Sequence, residues 1–468
     1  MTNYVRHVAK YCDPDFNPTQ IMAQAHQEHP GAGYLFDLTG QPPFDQQHII
    51  YLGLHPQHQI TYREGVITTN GHSISKKLQP YLEQLLQKYH FDAADQPLPF
   101  SGGLVGYLAY DYSRELVPNI PAVANPYDFA DAAFLLFTEV VGFAPETNEV
   151  TLIQNLPEGE PDTLAELQQE LQRLQASFTT EPTLHLTHPL QPSYDQPTYT
   201  RLIDQVVDHI YRGDIFQLIL SNPLVGQAAG SLLALYQELT GNYHCYFSCG
   251  DFQAATASPE TLLRKTGSHL ATFPLAGTRR RGKDADEDEQ MAQELLSDPK
   301  ESAEHNMLVD LGRNDLGAVS QFNSVRVTEH MQLHKYQQVM HLASTVESEI
   351  EPEQSALDAL KAVFPAGTLS GAPKSSALKI IAQLEQQKRG LYGGTFGYLD
   401  FNGDCNFAIG IRLAQQKGDQ LLVQSGAGIV ADSVGKHEYQ ECFNKTRVVR
   451  QALARATHQE VLADDFID

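Results

Sequence analysis

Apolar residues recur along this chain with two different periods. Leu164, Leu167, Leu171 and Leu174 are spaced 3-4-3 and mark one amphipathic helix. Ile203, Val206, Val207 and Ile210 predict a second, with Gly213 as its stop. Elsewhere the apolar residues form short runs bounded by turn residues, which predicts strands. HIIYLGL (48–54) and GGLVGYLAY (102–110) are such runs early in the chain. IFQLIL (215–220), SHLATFPLAGT (268–278), FGYLDF (396–401), AIGIRLA (408–414) and LLVQSGAGIV (421–430) follow later, separated by helical segments. The pattern is that of an α/β (α+β) chain with mixed, antiparallel-rich sheets. It breaks between about residues 155 and 198, where Pro182, Pro189, Pro192 and Pro197 punctuate a stretch that reads as a connector. The chain thus divides into a β-rich N-terminal domain, 1–180, and a second domain, 195–457, that holds nearly all the dense motifs.

Length and charge narrow the function classes. The 468 residues carry 32 Lys and Arg against 57 Asp and Glu, a net charge of −25. Nucleic acid and anionic membrane are therefore excluded as expected partners, whereas a small anion needs only a local positive site. Cys12, Cys245, Cys249, Cys405 and Cys442 are an odd set without framework spacing, which fits reduced thiols in a cytoplasmic protein. Cys245 and Cys249 lack a second pair that would complete a zinc site. The N-terminus has no apolar signal core, and the most apolar stretch, Phe129 to Phe143, is interrupted by Asp131 and Glu139. The expected protein is soluble and cytoplasmic.

Two glycine segments invite a nucleotide reading and do not sustain it. Gly426-Ala-Gly428-Ile-Val-Ala431 fits the dinucleotide fingerprint formally, but Lys445, Arg447 and Arg450 stand where its acidic residue is needed. Gly367-Thr-Leu-Ser-Gly371-Ala-Pro-Lys374 has the wrong spacing for a P-loop, and Pro373 removes a needed N–H. Both segments, read as loops, can still offer backbone N–H groups to an anion.

Two glutamate pairs follow a helical spacing. Asp298-Pro299 reads as a helix start, and Glu301, Glu304, Leu308 and Leu311 then continue 3-4-3. Glu438, Glu441, Lys445 and Val448 repeat that spacing near the C-terminus. On this reading the carboxylates share inward faces with aliphatic residues. Inward carboxylates need a partner, and four of them suit a hard cation such as Mg²⁺. The run Asp284 to Glu289 reads instead as a solvated loop.

Taken in order, the motifs resemble a known family. They are Phe273-Pro-Leu-Ala-Gly-Thr278-Arg, Lys300-Glu-Ser-Ala-Glu-His305-x-Met-Leu-Val-Asp310, Arg313-Asn-Asp315 and His341-Leu-Ala-Ser-Thr-Val346. Gly367 to Lys374, Tyr392-Gly-Gly394, Ser425 to Asp432 and Glu438-Tyr-x-Glu441-x-x-Asn-Lys445 complete the series. Together they resemble the chorismate-utilising enzymes, most closely the large subunits of anthranilate synthases, over about residues 195–455. A weaker echo lies at Gly102-Gly-Leu-Val-Gly106-Tyr.

The resemblance implies two sheets packed face to face and flanked by helices, with the N-terminal domain interwoven and regulatory or structural. It implies Mg²⁺ held by Glu304 and Glu441, with Glu301 and Glu438 around them. Arg412 and Tyr392 would hold the enolpyruvyl carboxylate, with Lys445 and the amides around Gly426 and Gly428 nearby. Ala276, Thr278 and Thr368 fall within motifs at the same site. Glu260 would protonate the departing ring hydroxyl, and His341 would assist pyruvate loss or the associated proton transfer.

Two positions bear on which member this chain resembles. Isochorismate and salicylate synthases carry a lysine base where Gln217 stands, and a neutral amide cannot deprotonate water. Aminodeoxychorismate synthases of the common type carry a lysine nucleophile where Ala276 stands. Gln217 with Ala276 favours chorismate plus ammonia giving anthranilate plus pyruvate. An aminodeoxychorismate synthase with an unusual pocket and a silent binding subunit are the alternatives. No glutaminase motif surrounds any cysteine, so ammonia is expected from a separate glutaminase subunit or from free ammonium. Members inhibited by tryptophan carry Leu-Leu-Glu-Ser and Asn-Pro-Ser-Pro-Tyr-Met. The counterparts here are Leu35-Phe-Asp37-Leu38 and Asn242-Tyr-His-Cys-Tyr246-Phe, which predicts weak or altered feedback.

Overall fold

The short apolar runs become strands of two sheets. The computed structural model describes residues 3–38, 48–91, 98–335 and 339–462. Among them the sheets are antiparallel apart from one short parallel pair, Asn3–Cys12 with His90–Phe91, at an edge. The sheets lie face to face over a shared aromatic layer, in which the Phe36 ring meets Phe396 edge-on at 6.1 Å and Tyr398 at 6.2 Å. Edge-to-face contact is the arrangement ring quadrupoles favour. Helices cover the outer faces. Leu164, Leu167, Leu171 and Leu174 are all buried on the helix Leu164–Ser177, each contributing about 1.5–3 kcal/mol of burial. The helix Gln196–Tyr211 ends before Gly213, whose φ is 80°.

Strands from before residue 180 and after residue 180 form two contiguous blocks in each sheet and meet at one junction. Gly33–Leu38 pairs with Tyr243–Cys249, and Gly103–Leu108 pairs with Thr395–Asp400. Four expectations change here. The proline-rich connector contains a strand, Leu184–Pro192, paired to Gln217–Gly230 with two register shifts. It is an edge strand, where a missing ladder donor is tolerated. SHLATFPLAGT is two strands, His269–Thr272 and Leu275–Arg280. AIGIRLA is also two, and they belong to different sheets: Cys405–Ile409 to one and Leu413–Lys417 to the other. Asp284 to Glu289 is the cap and first turn of the helix Ala285–Ser297. Its Asp288 is buried against Arg281 at 2.6 Å and Lys335 at 3.1 Å, which hold its carboxyl well below the usual range.

Candidate active site

The site grows from the seams where the chain passes between sheets. One seam is Gly410–Arg412, between the two halves of AIGIRLA. The other is Pro259–Glu260, between Phe252–Ser258 in one sheet and Thr261–Thr266 in the other. The seams are bonded to each other: Ile409 N–H donates to Glu260 O at 2.9 Å, and Ala257 N–H to Arg412 O at 3.2 Å. Arg412 sits at φ 50°, a left-handed conformation that costs a non-glycine residue about 1–3 kcal/mol. That strain persists at functional sites when the surroundings over-determine it.

Burial pushes the Glu260 carboxyl up to about 7, against the opposing effects of a Thr368 hydrogen bond and the Arg412 charge. Thr368 Oγ1 donates to Glu260 Oε1 at 3.1 Å. Burial likewise lowers Arg412, with Glu260 opposing it. Its guanidinium makes no hydrogen bond or ion pair among the described residues, an unusual state for so enclosed a cation.

His341 lies on the strand Val339–Glu349, opposite Thr278. Its Nδ1 is 3.1 Å from Gly277 O, and a carbonyl only accepts, so Nδ1 carries the proton and Nε2 the lone pair of the neutral ring. Burial lowers its pKa, as does the Arg412 charge, which favours that neutral form. Gly277 makes this contact from a bulge between Ala276 and Thr278, with φ 65°. A Cβ there would meet Leu295 Cδ1 at 2.6 Å and Glu301 Oε2 at 3.1 Å, so the glycine also lets Glu301 approach. The Thr278 side chain lies outside the described residues.

Glu301 and Glu304 sit on the helix Pro299–Gly317, which Asp298 caps through the N–H groups of Lys300 and Glu301. Both are partly exposed along the margin of the buried stripe His305, Leu308, Val309 and Leu316. Glu301 pairs with Arg279 at 3.1 Å, and Glu304 accepts from Gln217 Nε2 at 3.4 Å. The same Gln217 amide lies 2.8 Å from where a Cβ of Gly428 would be.

Gly426 and Gly428 lie in the strand Gln420–Ile429, as the run LLVQSGAGIV predicts and against the loop reading of the glycine fingerprint, opposite Ser221 and Ile219. Ser221 N–H donates to Glu385 at 2.8 Å and Ile219 N–H to Ser370 O at 2.9 Å, both away from this strand. These are therefore non-hydrogen-bonded pairs, and the N–H groups of Gly426 and Gly428 also turn away from the ladder. On that other side the ladder to Leu413–Lys417 ends at Val423. The two amides thus remain available to a ligand. Lys445 Nζ donates to Gly426 O at 3.0 Å, and a Gly426 Cβ would sit 3.0 Å from the Tyr392 hydroxyl.

The second glutamate pair needs correction. On the helix Gly435–Thr457 the buried stripe is Cys442, Thr446, Val449 and Leu453, whereas Glu441, Lys445 and Val448 are exposed. A 3-4-3 spacing fits either side of a stripe boundary, and the packing chose the register one residue along. Glu441 pairs with Lys445 at 2.7 Å. Glu438 is pushed up by burial and by the Glu441 charge, while Lys300, at the start of the Glu301 helix, opposes. The start of the Glu301 helix thus lies close enough to act electrostatically on Glu438.

Among the described residues no three His, Cys, Asp or Glu side chains converge as a metal cage. The donors present are carboxylate oxygens with like-charge repulsion between Glu438 and Glu441. That chemistry fits Mg²⁺, which keeps its waters and takes one or two protein carboxylates.

Sequence reading missed the buried support. Arg389 is 1% exposed and donates to Glu385 at 2.6 Å, Leu369 O at 2.8 Å and Ile219 O at 2.9 Å, with its guanidinium 5.8 Å from the Tyr392 ring. It ties the Thr368 turn, the Gln217 strand and Tyr392 together. The available signal was a charged Lys-Arg pair directly before the Gly390-Leu-Tyr392 segment. Lys374 of the P-loop-like segment is spent on Asp315 at 2.9 Å and Val363 O at 3.1 Å.

Comparisons with known proteins give the family and the fold. The family model described as "chorismate binding enzyme" matches residues 39–451. Anthranilate synthase component 1 of Lactococcus lactis is 36% identical, covering 86% of this chain and 91% of that protein. Aminodeoxychorismate synthase component 1 of Bacillus subtilis is 38% identical, covering 76% of this chain and 77% of that protein. The crystal structure of anthranilate synthase component I from Streptococcus pneumoniae superposes with a TM-score of 0.77 at 34% identity, covering 88% and 95% of the two chains. A shared fold and a match across most of the length lead to one conclusion: this chain belongs to the chorismate-binding enzyme family.

Proposed function

We propose that the chain is an anthranilate synthase large subunit, converting chorismate and ammonia to anthranilate and pyruvate, with the ring hydroxyl leaving as water. The observation that carries the reading is Gln217. It lies over Gly428 and donates to Glu304, so a neutral amide occupies the place of a base that would activate water. Ammonia is already nucleophilic. Ala276, on the strand Leu275–Arg280 of the other sheet, offers no amine for covalent attack.

Each residue then has a task at a stated atom. Glu260, with its carboxyl at about 7, holds a proton near neutral pH for the departing hydroxyl. Arg412, with no protein anion hydrogen-bonded to it among the described residues, and Tyr392 would receive the enolpyruvyl carboxylate. The amides of Gly426 and Gly428 and the Lys445 ammonium would receive other substrate oxygens. Neutral His341 offers Nε2 for the proton released with pyruvate. Mg²⁺, when bound through Glu304 and Glu441 with Glu301 and Glu438 around it, would neutralise the ring carboxylate. Ammonia would come from a glutaminase subunit, consistent with relatives named as a first component.

The 38% identity to an aminodeoxychorismate synthase supports a second reading in the same pocket. Product analysis with chorismate, Mg²⁺ and ammonium separates the two. Anthranilate is expected; a para-amino product would overturn the assignment.

Feedback bears on a strand pair that joins the early and late parts of the chain. Leu35–Leu38 and Tyr243–Phe247 pair side by side, with Asp37 opposite His244. Asp37 is engaged by His48 at 2.7 Å, and the His244 ring stacks on Tyr236 at 3.8 Å. These internal contacts support weak or altered tryptophan feedback, and tight tryptophan binding by calorimetry would contradict it.

A further inference from the structure

His305 follows Glu304 on the helix Pro299–Gly317, and its side chain turns into the core while Glu304 stays partly exposed. It is fully buried, and its Nε2 is 2.6 Å from Ser344 Oγ. Ser344 lies three residues beyond His341 on the strand Val339–Glu349 and is buried too. Two further observations mark this contact as specific. Ser344 Oγ also accepts from Met331 N–H at 2.9 Å, and Met331 holds φ 52° beside a register shift in the strand Arg326–Lys335. A non-glycine residue in left-handed backbone is costly, and here it aims one N–H at one hydroxyl. In addition, His305 Nδ1 is buried without a hydrogen-bond partner in this structure. A leucine at 305 would pack there without leaving a polar atom unpaired, so stability alone does not account for the histidine.

We propose that His305 is a positioning residue: its bond to Ser344, braced by the Met331 amide, fixes the rotation and depth of the helix bearing Glu301 and Glu304 against the strand bearing His341. The inference rests on the proposed function for its catalytic consequence, but its structural part does not. Side chains one position apart on a helix point about 100° apart, so anchoring His305 inward sets Glu304 at the margin of the buried stripe, within reach of Gln217. A misplacement of about 1 Å at such a group can cost about 100-fold in rate.

The test compares His305→Leu, Ser344→Ala, the double variant and His305→Gln, whose amide can still reach Ser344. Hydrogen exchange is followed on residues 299–311, and kcat and KM for chorismate are measured well below each melting temperature. His305→Leu and Ser344→Ala should each accelerate exchange in 299–311 and lower kcat about 10-fold or more, with KM changed less. The double variant should resemble either single, and His305→Gln should recover most of kcat. Unchanged exchange in His305→Leu, a Gln variant as impaired as the Leu variant, or additive losses in the double would each overturn the clamp. Should the unaltered protein fail to turn over chorismate, the proposed function falls, and the exchange comparison still decides the clamp.

Discussion

Glu260 offers the sharpest quantitative test, because the same burial that suits it for proton donation must destabilise its charged form. Its pKa stands at about 7 against an ordinary 4.5, a difference worth about 3 kcal/mol. Below pH 4.5 the group is protonated whether the chain is folded or not. Between 4.5 and about 7 the folded protein keeps a proton that the unfolded chain has released, so stability contributed by this group declines as pH rises. Above 7 the full amount is lost. Glu260→Gln keeps the shape, still accepts from Thr368 and never ionises. The variant should match the unaltered protein at pH 4.5 and exceed it by about 3 kcal/mol at pH 8.5, read from urea unfolding at each pH. A difference that stays flat, or that shrinks as pH rises, would refute the assignment of a raised pKa to this carboxyl. Activity should move oppositely: kcat/KM falls above pH 7 as the acid form is depleted, and the amide variant loses turnover at every pH.

Other perturbations separate packing from chemistry. Gly428→Ala places a Cβ 2.8 Å from the Gln217 amide, a flexible tip that can yield, so turnover should drop about 10-fold or more while the melting temperature shifts little; unchanged kinetics would remove Gln217 from the site. Arg389→Met leaves Glu385 buried without its partner and should cost about 3–5 kcal/mol in urea unfolding. Adding Glu385→Leu should recover part of that loss, and additive losses would show that the pair is not the source. Lys445→Met frees Glu441 from its 2.7 Å ion pair and should tighten Mg²⁺ binding by calorimetry while weakening chorismate binding; unchanged Mg²⁺ affinity would argue against Glu441 as a ligand.

The strand-bearing runs, the leucine helix and the Asp298 cap were legible because each depends on local spacing, which the chain carries within a window of a few residues. The four glutamates were also picked out by helical spacing, whereas Glu260 and Arg412 were legible only within an ordered series of motifs, since nothing local distinguishes them from surface charges. Helix register was less secure. Glu441 and Val448 obey the same spacing as a buried stripe, yet the packing of Cys442, Thr446 and Val449 against the sheet places them outside.

Sequence alone determined the leucine helix, most of the strand runs, the acidic charge and the identity of the groups available for carboxylate chemistry. Tertiary structure decided what those groups are. AIGIRLA reads as one strand because its apolar content is continuous, but it crosses from sheet to sheet, and that crossing holds Arg412 near Glu260. Gly426 and Gly428 read as an anion-binding loop, whereas it is the pairing of their strand with Gln217–Gly230 that turns their amides outward. The raised pKa of Glu260 has no counterpart in its neighbours along the chain. It arises from enclosure by residues far away in sequence, and desolvation is a property of the folded surroundings.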